Sequence, residues 1–255
     1  MRSKNCFALC FFLVSTFNTS PLLAKDVHLV PPTDDKNTLG AWEYAVATLK
    51  EGDTVFLEDK VYHLGKSTGG FGGGAVVFMD ERSPIPAVIK FEKNPAVSRS
   101  IPNLSLRAEF DSLEELGRQG FSVAKPLELG PKGLTLRQEL GLGVTVNEYF
   151  RKIFLLQPDR TKRNVIESLD RLFHSLAEHH VITADLRPPN IMIDPATGKL
   201  TIIDPGPINP KIDVKSIFPL ELAFTQFDLE PYRMFADLHP EEACSWDIKS
   251  LQPGK

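Results

Sequence analysis

The chain has 255 residues, room for one large domain or two small lobes. Its 42% hydrophobic and 24% charged residues match a packed globular protein and exclude a wholly disordered chain. A net charge of −4 gives no support for general nucleic-acid binding.

In chain order, the first feature is a positive start, Arg2 and Lys4, followed by an apolar run of 12 residues from Cys6 to Phe17. Asn18-Thr19-Ser20-Pro21-Leu22-Leu23-Ala24 then leads to Lys25. This order is that of a secretory signal, residues 1–24, and the run is too short to span a bilayer. The expectation is a secreted chain with no stable membrane insertion once the signal is removed. Cys6 and Cys10 lie inside that signal, which leaves Cys244 alone and no internal disulfide.

Residues 25–37 are polar and bear prolines, so they read as a linker, and 39–50 as a short helix. Strand patterns follow at 54–57, 60–64, 75–79 and 87–92. Between the second and third lies the densest glycine stretch, residues 65–74. A helix is expected over 104–118, with Leu106, Phe110, Leu113 and Leu116 as its apolar stripe. Residues 123–129 and 134–140 flank Gly130-Pro131-Lys132-Gly133 as a hairpin. After Gly141-Leu142-Gly143 a long helix is expected over 163–180, with Ile166, Leu169, Leu172, Phe173 and Leu176 on one face. Asp194-Pro195-Ala196-Thr197-Gly198-Lys199 predicts a tight turn between strands at 191–193 and 200–203. The remaining residues are rich in proline. A β-rich part thus precedes an α-rich part, an α+β class.

The chemistry concentrates in Thr183-Ala184-Asp185-Leu186-Arg187-Pro188-Pro189-Asn190. Phosphoryl transfer needs a carboxylate near the attacking hydroxyl and oxygen ligands for a metal ion. Asp185 and Asn190 stand five residues apart before the expected hairpin, and Asp204 follows Asp185 by 19 residues, just past it. These residues resemble the catalytic loop and the metal-binding D-F-G motif of the protein-kinase-like superfamily, here Asp204-Pro205-Gly206. Ala87-Val88-Ile89-Lys90 resembles the strand whose lysine pairs with the α- and β-phosphates, and Glu109 follows on the next expected helix.

The resemblance implies a two-lobed protein-kinase-like fold with a shortened C-lobe. Residues 1–24 would be the signal and 25–53 a linker with a short helix. Residues 54–140 would be a nucleotide-binding N-lobe, and 141–255 the C-lobe with catalytic loop and metal site. It implies ATP and Mg²⁺ as cofactors. Asp185 would act on the acceptor hydroxyl, Lys90 would hold phosphate, and Arg187 would steady the transferring group. Gly70, Gly72 and Gly73 would cover the phosphates. Lys90 and Glu109 would form an ion pair, and Gln138, Glu139 and Leu140 would lie at the adenine hinge, with Glu139 as its acid. Asn190 and Asp204 would hold the metal.

The sequence also departs from the family pattern. Thr183 and Ala184 replace the His-Arg of the catalytic loop, and Pro205 replaces Phe. No strict G-x-G-x-x-G occurs, and His239-Pro240-Glu241 is the nearest match to A-P-E. The plan is most similar to the minimal kinases that bacteria deliver into host cells. It points to an exported protein kinase acting on host protein hydroxyls, with an activating partner able to complete the lobe. A small-molecule phosphotransferase and a nucleotide-binding pseudokinase scaffold stand as the alternatives.

Overall fold

The computed structural model describes residues 24–68, 74–100, 105–179, 181, 183 and 186–208. The expected signal up to Leu23, Gly70, Gly72, Gly73, Asp185 and everything after Ile208 lie outside the described residues. The described residues form a mixed α+β structure built on two sheets.

The larger sheet has seven strands in the order β1-β2-β3-β4-β5-β7-β6. Strand β1 (Asp26–Leu29) pairs parallel with β2 (Thr54–Leu57), and helix α1 (Lys36–Ala47) connects them. The stretch expected to be a linker therefore opens with a strand. Four residues carry too little alternation to announce themselves, and the pairing partner lies 28 positions away. Asp35 caps α1 by accepting the Thr38 N–H at 3.3 Å. Trp42 and Val46, one turn apart, bury its inner face.

Strands β3 (Lys60–Ser67), β4 (Ala75–Asp80) and β5 (Ala87–Glu92) continue the sheet antiparallel. Strand β3 runs further than expected and absorbs Gly65-Lys66-Ser67 from the glycine stretch. Gly65 suits this path because a Cβ there would stand 2.8 Å from Glu81 Cγ. Every residue of β5 is buried, as a central strand requires, and this includes Lys90 and Glu92.

After the short helix α2 (Pro95–Ser100) comes α3 (Leu106–Arg118), capped by Ser105, which accepts the Ala108 N–H at 3.2 Å. The buried face of α3 is Leu106, Glu109, Ser112, Leu113 and Leu116. It is turned toward polar residues relative to the expected stripe, and Phe110 is only half-buried. Strands β6 (Pro126–Leu129) and β7 (Thr135–Glu139) then form the expected hairpin around a 3-10 turn at Pro131–Gly133.

The smaller sheet has the order β10-β9-β8, from β8 (Val144–Thr145), β9 (Ile191–Ile193) and β10 (Leu200–Ile202). Helices α4 (Val146–Lys152) and α5 (Asp159–Glu178) pack with it. Helix α5 begins four residues before its expected start and buries Ile166, Leu169, Phe173 and Leu176 as expected.

Two apolar cores result. One joins α1 to the larger sheet through Trp42, Val46, Val55, Leu64, Ile89 and Phe91. The other joins α4, α5 and the smaller sheet through Tyr149, Phe154, Ile166, Phe173, Ile191 and Ile202. Leu116 of α3 belongs to the second, so that helix reaches both halves.

Candidate functional site

The site lies where β5, α3 and the residues after β10 meet. Lys90 sits on the central strand, 7% exposed, and Glu109 lies in the first turn of α3, 8% exposed. Their side chains form a direct ion pair through Nζ and Oε1. Lys90 Nζ also lies 3.4 Å from the Ile203 carbonyl, which it donates to. Asp204 is the next residue, and its charge acts on both members of the pair. Three separate elements thus bring together one cation and two carboxylates that the sequence reading had linked.

Electrostatics follow from burial. Burial disfavours the Lys90 ammonium, but the charges of Glu109 and Asp204 outweigh it and hold the pKa above the ordinary lysine value. Burial also pushes Glu109 up to about 7; Lys90 opposes that rise and Asp204 adds to it.

The loop of Asp204 is tied down on both sides. The Ile203 N–H donates to the Asn190 carbonyl at 2.9 Å, so the hairpin register sets Asn190 beside the approach to Asp204. The Asn190 N–H in turn donates to the Arg187 carbonyl at 2.8 Å, closing a 3-10 turn at Pro188–Asn190. Arg187 is exposed and Leu186 is buried. Past Asp204, the Gly206 N–H donates to Asp204 Oδ1 at 3.4 Å, with Gly206 at φ +63°. The chain then returns to α3, where the Ile208 N–H donates to Ser112 Oγ at 3.2 Å.

Glu139 and Leu140 lie at the end of β7, between the two sheets. Their N–H groups are already donated, to the Lys125 and Pro86 carbonyls, each at 2.9 Å. The expected adenine contacts at these two positions are therefore restricted to their carbonyl oxygens. Gly141 follows and lies directly on the smaller sheet: a Cβ there would stand 2.6 Å from Met192 Cγ and 2.8 Å from Ile203 Cγ2.

Glu92 has no counterpart in the sequence expectation, and Gln138, expected at the hinge through its backbone, makes a side-chain contact instead. Gln138, 2% exposed, donates from Nε2 to the Ile203 carbonyl at 3.0 Å, and its Oε1 has no hydrogen-bond partner among the described residues. Glu92, 3% exposed, lies two positions beyond Lys90 on the same strand. A buried carboxylate at Lys90 plus two was visible as a pattern, since alternate strand residues share a face. The Gln138 contact had no such signal, because a backbone carbonyl acceptor leaves no mark in the sequence.

Asn190 and Asp204 offer hard oxygen donors, an amide and a carboxylate, which suit Mg²⁺. Their link through Ile203 makes joint ligation compatible with the hairpin. No family model matches the chain, and no curated protein matches it.

Proposed function

We propose that this chain is an ATP- and Mg²⁺-dependent protein kinase. It would have a two-lobed protein-kinase-like plan, be exported behind a signal at residues 1–24, and act on protein hydroxyls of a host. The observation that carries this reading is the meeting of Lys90, Glu109 and the Ile203–Asp204 turn, drawn from β5, α3 and the loop after β10. A buried lysine held by a helix glutamate beside a second carboxylate is the arrangement that phosphoryl transfer uses to hold phosphate and metal. A structural ion pair alone has no need of Asp204 nearby.

Each residue then has a task. Lys90, oriented by Glu109, would hold phosphate oxygens. Asp204 and Asn190 would hold Mg²⁺, whose charge when bound neutralises that on the phosphates. Asp185, outside the described residues, would take the proton of the acceptor hydroxyl. Arg187, exposed two residues further on, offers a guanidinium fork for the transferring group. Carbonyls at Glu139 and Leu140 would face the adenine, and Gly70, Gly72 and Gly73 would approach the phosphates. A protein substrate and an activating partner complete the proposal.

The test is labelling with γ-³²P ATP, using purified protein in host lysate and an Asp185→Asn control. Labelled protein bands that vanish in the control are expected. Turnover of a sugar, aminoglycoside or nucleoside without a labelled band would make the chain a small-molecule phosphotransferase. Nucleotide binding with no transfer to any acceptor would make it a pseudokinase.

A further inference from the structure

Gln138 stands on an interior strand of the larger sheet, β7, where it is paired with Val88 of β5 on one side and Pro126 of β6 on the other. Lys90 of β5 is paired with Leu136, two positions before Gln138, so Lys90 and Gln138 project from the same face. Both side chains reach the same atom. Gln138 Nε2 donates to the Ile203 carbonyl at 3.0 Å, and Lys90 Nζ donates to it at 3.4 Å. A carbonyl oxygen only accepts, so the amide can present only its nitrogen there. Its Oε1 is thereby turned elsewhere, buried and without a hydrogen-bond partner among the described residues.

An amide met on one side only returns little to folding. One neutral hydrogen bond contributes modestly, and a buried oxygen left unmet costs at least as much. Nor does the Ile203 carbonyl depend on Gln138 for a donor, since Lys90 also reaches it. What the contact supplies is direction. The Ile203 carbonyl and the Asp204 N–H belong to one planar peptide unit. On the other side of Ile203, its N–H donates to the Asn190 carbonyl at 2.9 Å. With both polar backbone groups of Ile203 held, the plane from which Asp204 departs is set. Asp204 Oδ1 then accepts the Gly206 N–H at 3.4 Å, which narrows the carboxylate's range further. Lys90 is the weaker holder of that plane. Its contact is longer, its stem is flexible, and its ammonium is engaged by Glu109. Gln138 works from a strand anchored on both edges.

We propose that Gln138 is a positioning residue for Asp204: its side-chain amide holds the Ile203 carbonyl against β7 and so fixes the peptide plane that carries the Asp204 carboxylate. The consequence for Mg²⁺ rests on the functional reading above, in which Asp204 holds the metal. The hold on the Ile203–Asp204 turn does not.

The experiment uses the full chain with Gln138→Met, Gln138→Leu, Asp204→Ala and the double variant Gln138→Met/Asp204→Ala. ATP affinity is read by calorimetry with Mg²⁺ and with Mg²⁺ chelated, the turn by amide hydrogen exchange, and folding by urea denaturation. Gln138→Met keeps the length of the side chain and removes both polar atoms. It should unfold at the parent's urea midpoint, because the lost bond and the lost unmet oxygen offset each other. Its ATP affinity should weaken about tenfold with Mg²⁺ and stay within about twofold of the parent without it. Exchange should quicken at the Asp204 and Gly206 amides and stay unchanged in β5 and β7. In the Asp204→Ala background, Gln138→Met should cost less than about twofold further, because no carboxylate remains to be positioned. Gln138→Leu, which also lacks a donor, carries the comparison if Gln138→Met does not fold. Failure of both to fold would make the residue a structural one and overturn the proposal. Equal losses with and without Mg²⁺, or equal losses in the two backgrounds, would overturn it too. If no protein in the series, parent included, binds ATP in either condition, the functional reading fails. Exchange at Asp204 and Gly206 then decides the hold on the turn by itself.

Discussion

At the Lys90–Glu109 pair, water is nearly absent on both sides. Removing one partner of a buried pair is costly, typically about 3–5 kcal/mol, whereas replacing both by apolar groups is often neutral. Glu109 can take up a proton when its lysine is lost, which lowers the cost. Lys90→Met should therefore destabilise by about 2–3 kcal/mol, and Lys90→Met/Glu109→Leu should regain most of it. Phosphate transfer should stay at least roughly 10²-fold down in both. Urea denaturation and ATP turnover check the two halves. A double variant as unstable as the single would show that the strain is not electrostatic. The glutamate also carries a pH signature. Its carboxyl titrates at about 7 in the folded chain against an ordinary value of 4.5. The folded state thus binds the proton more tightly, so this contribution to stability is complete below 4.5 and is lost as pH rises through 7. Denaturation at pH 5 and pH 8 should show a larger fall for the parent than for Glu109→Gln. Equal falls would contradict the assignment.

At the level of elements, the passage from β7 to β8 depends on Gly143. It has φ +97°, and a Cβ there would lie 2.0 Å from the Ile193 carbonyl oxygen. Gly120, after α3, has φ +88° but open space around it. Gly120→Ala should cost about 1–2 kcal/mol, the left-handed penalty alone. Gly143→Ala should cost well over that, because backbone must move too, and equal midpoints in urea would refute the difference. Elements with their own local signal were legible in the sequence. Strand β5 falls where alternating and bounded apolar residues put it. The β9–β10 turn follows from Asp194, which accepts the Ala196 N–H at 2.9 Å and the Thr197 hydroxyl at 2.7 Å. Elements set by distant partners were not legible, as β1 and β8 illustrate. Helix α4 had an overlooked signal: Thr145 caps it by accepting the Glu148 N–H at 3.1 Å, a Thr-x-x-Glu pattern. Within the site, the order Lys90, Glu109, Asn190, Asp204 was readable because each residue type serves a chemical need. The Gln138 contact was not, since it is made to a backbone carbonyl.

For the molecule as a whole, the smaller sheet is joined to the larger half through the end of β10. The Ala124 N–H donates to the Ile202 carbonyl at 2.7 Å, and the Ile202 N–H to the Ser122 carbonyl at 2.9 Å. Asp204 lies just beyond this joint and is not part of either core. Asp204→Ala should therefore leave the melting temperature without ligand within a few degrees of the parent. The parent should gain about 4 kcal/mol at Mg-ATP near a thousand times its dissociation constant, and the variant should lose most of that gain. A variant that keeps the full Mg-dependent shift would remove Asp204 from the proposed metal site. The Ile203 carbonyl, shared by Lys90 and Gln138, also has a bearing on how the chain is made. Glu109 follows Lys90 by 19 residues, but Ile203 follows it by 113. At synthesis rates of roughly 5–20 residues per second, Ile203 emerges about 6–23 s after Lys90. The ion pair can close early on the ribosome, while the carbonyl that completes it arrives only when most of the protein has been made.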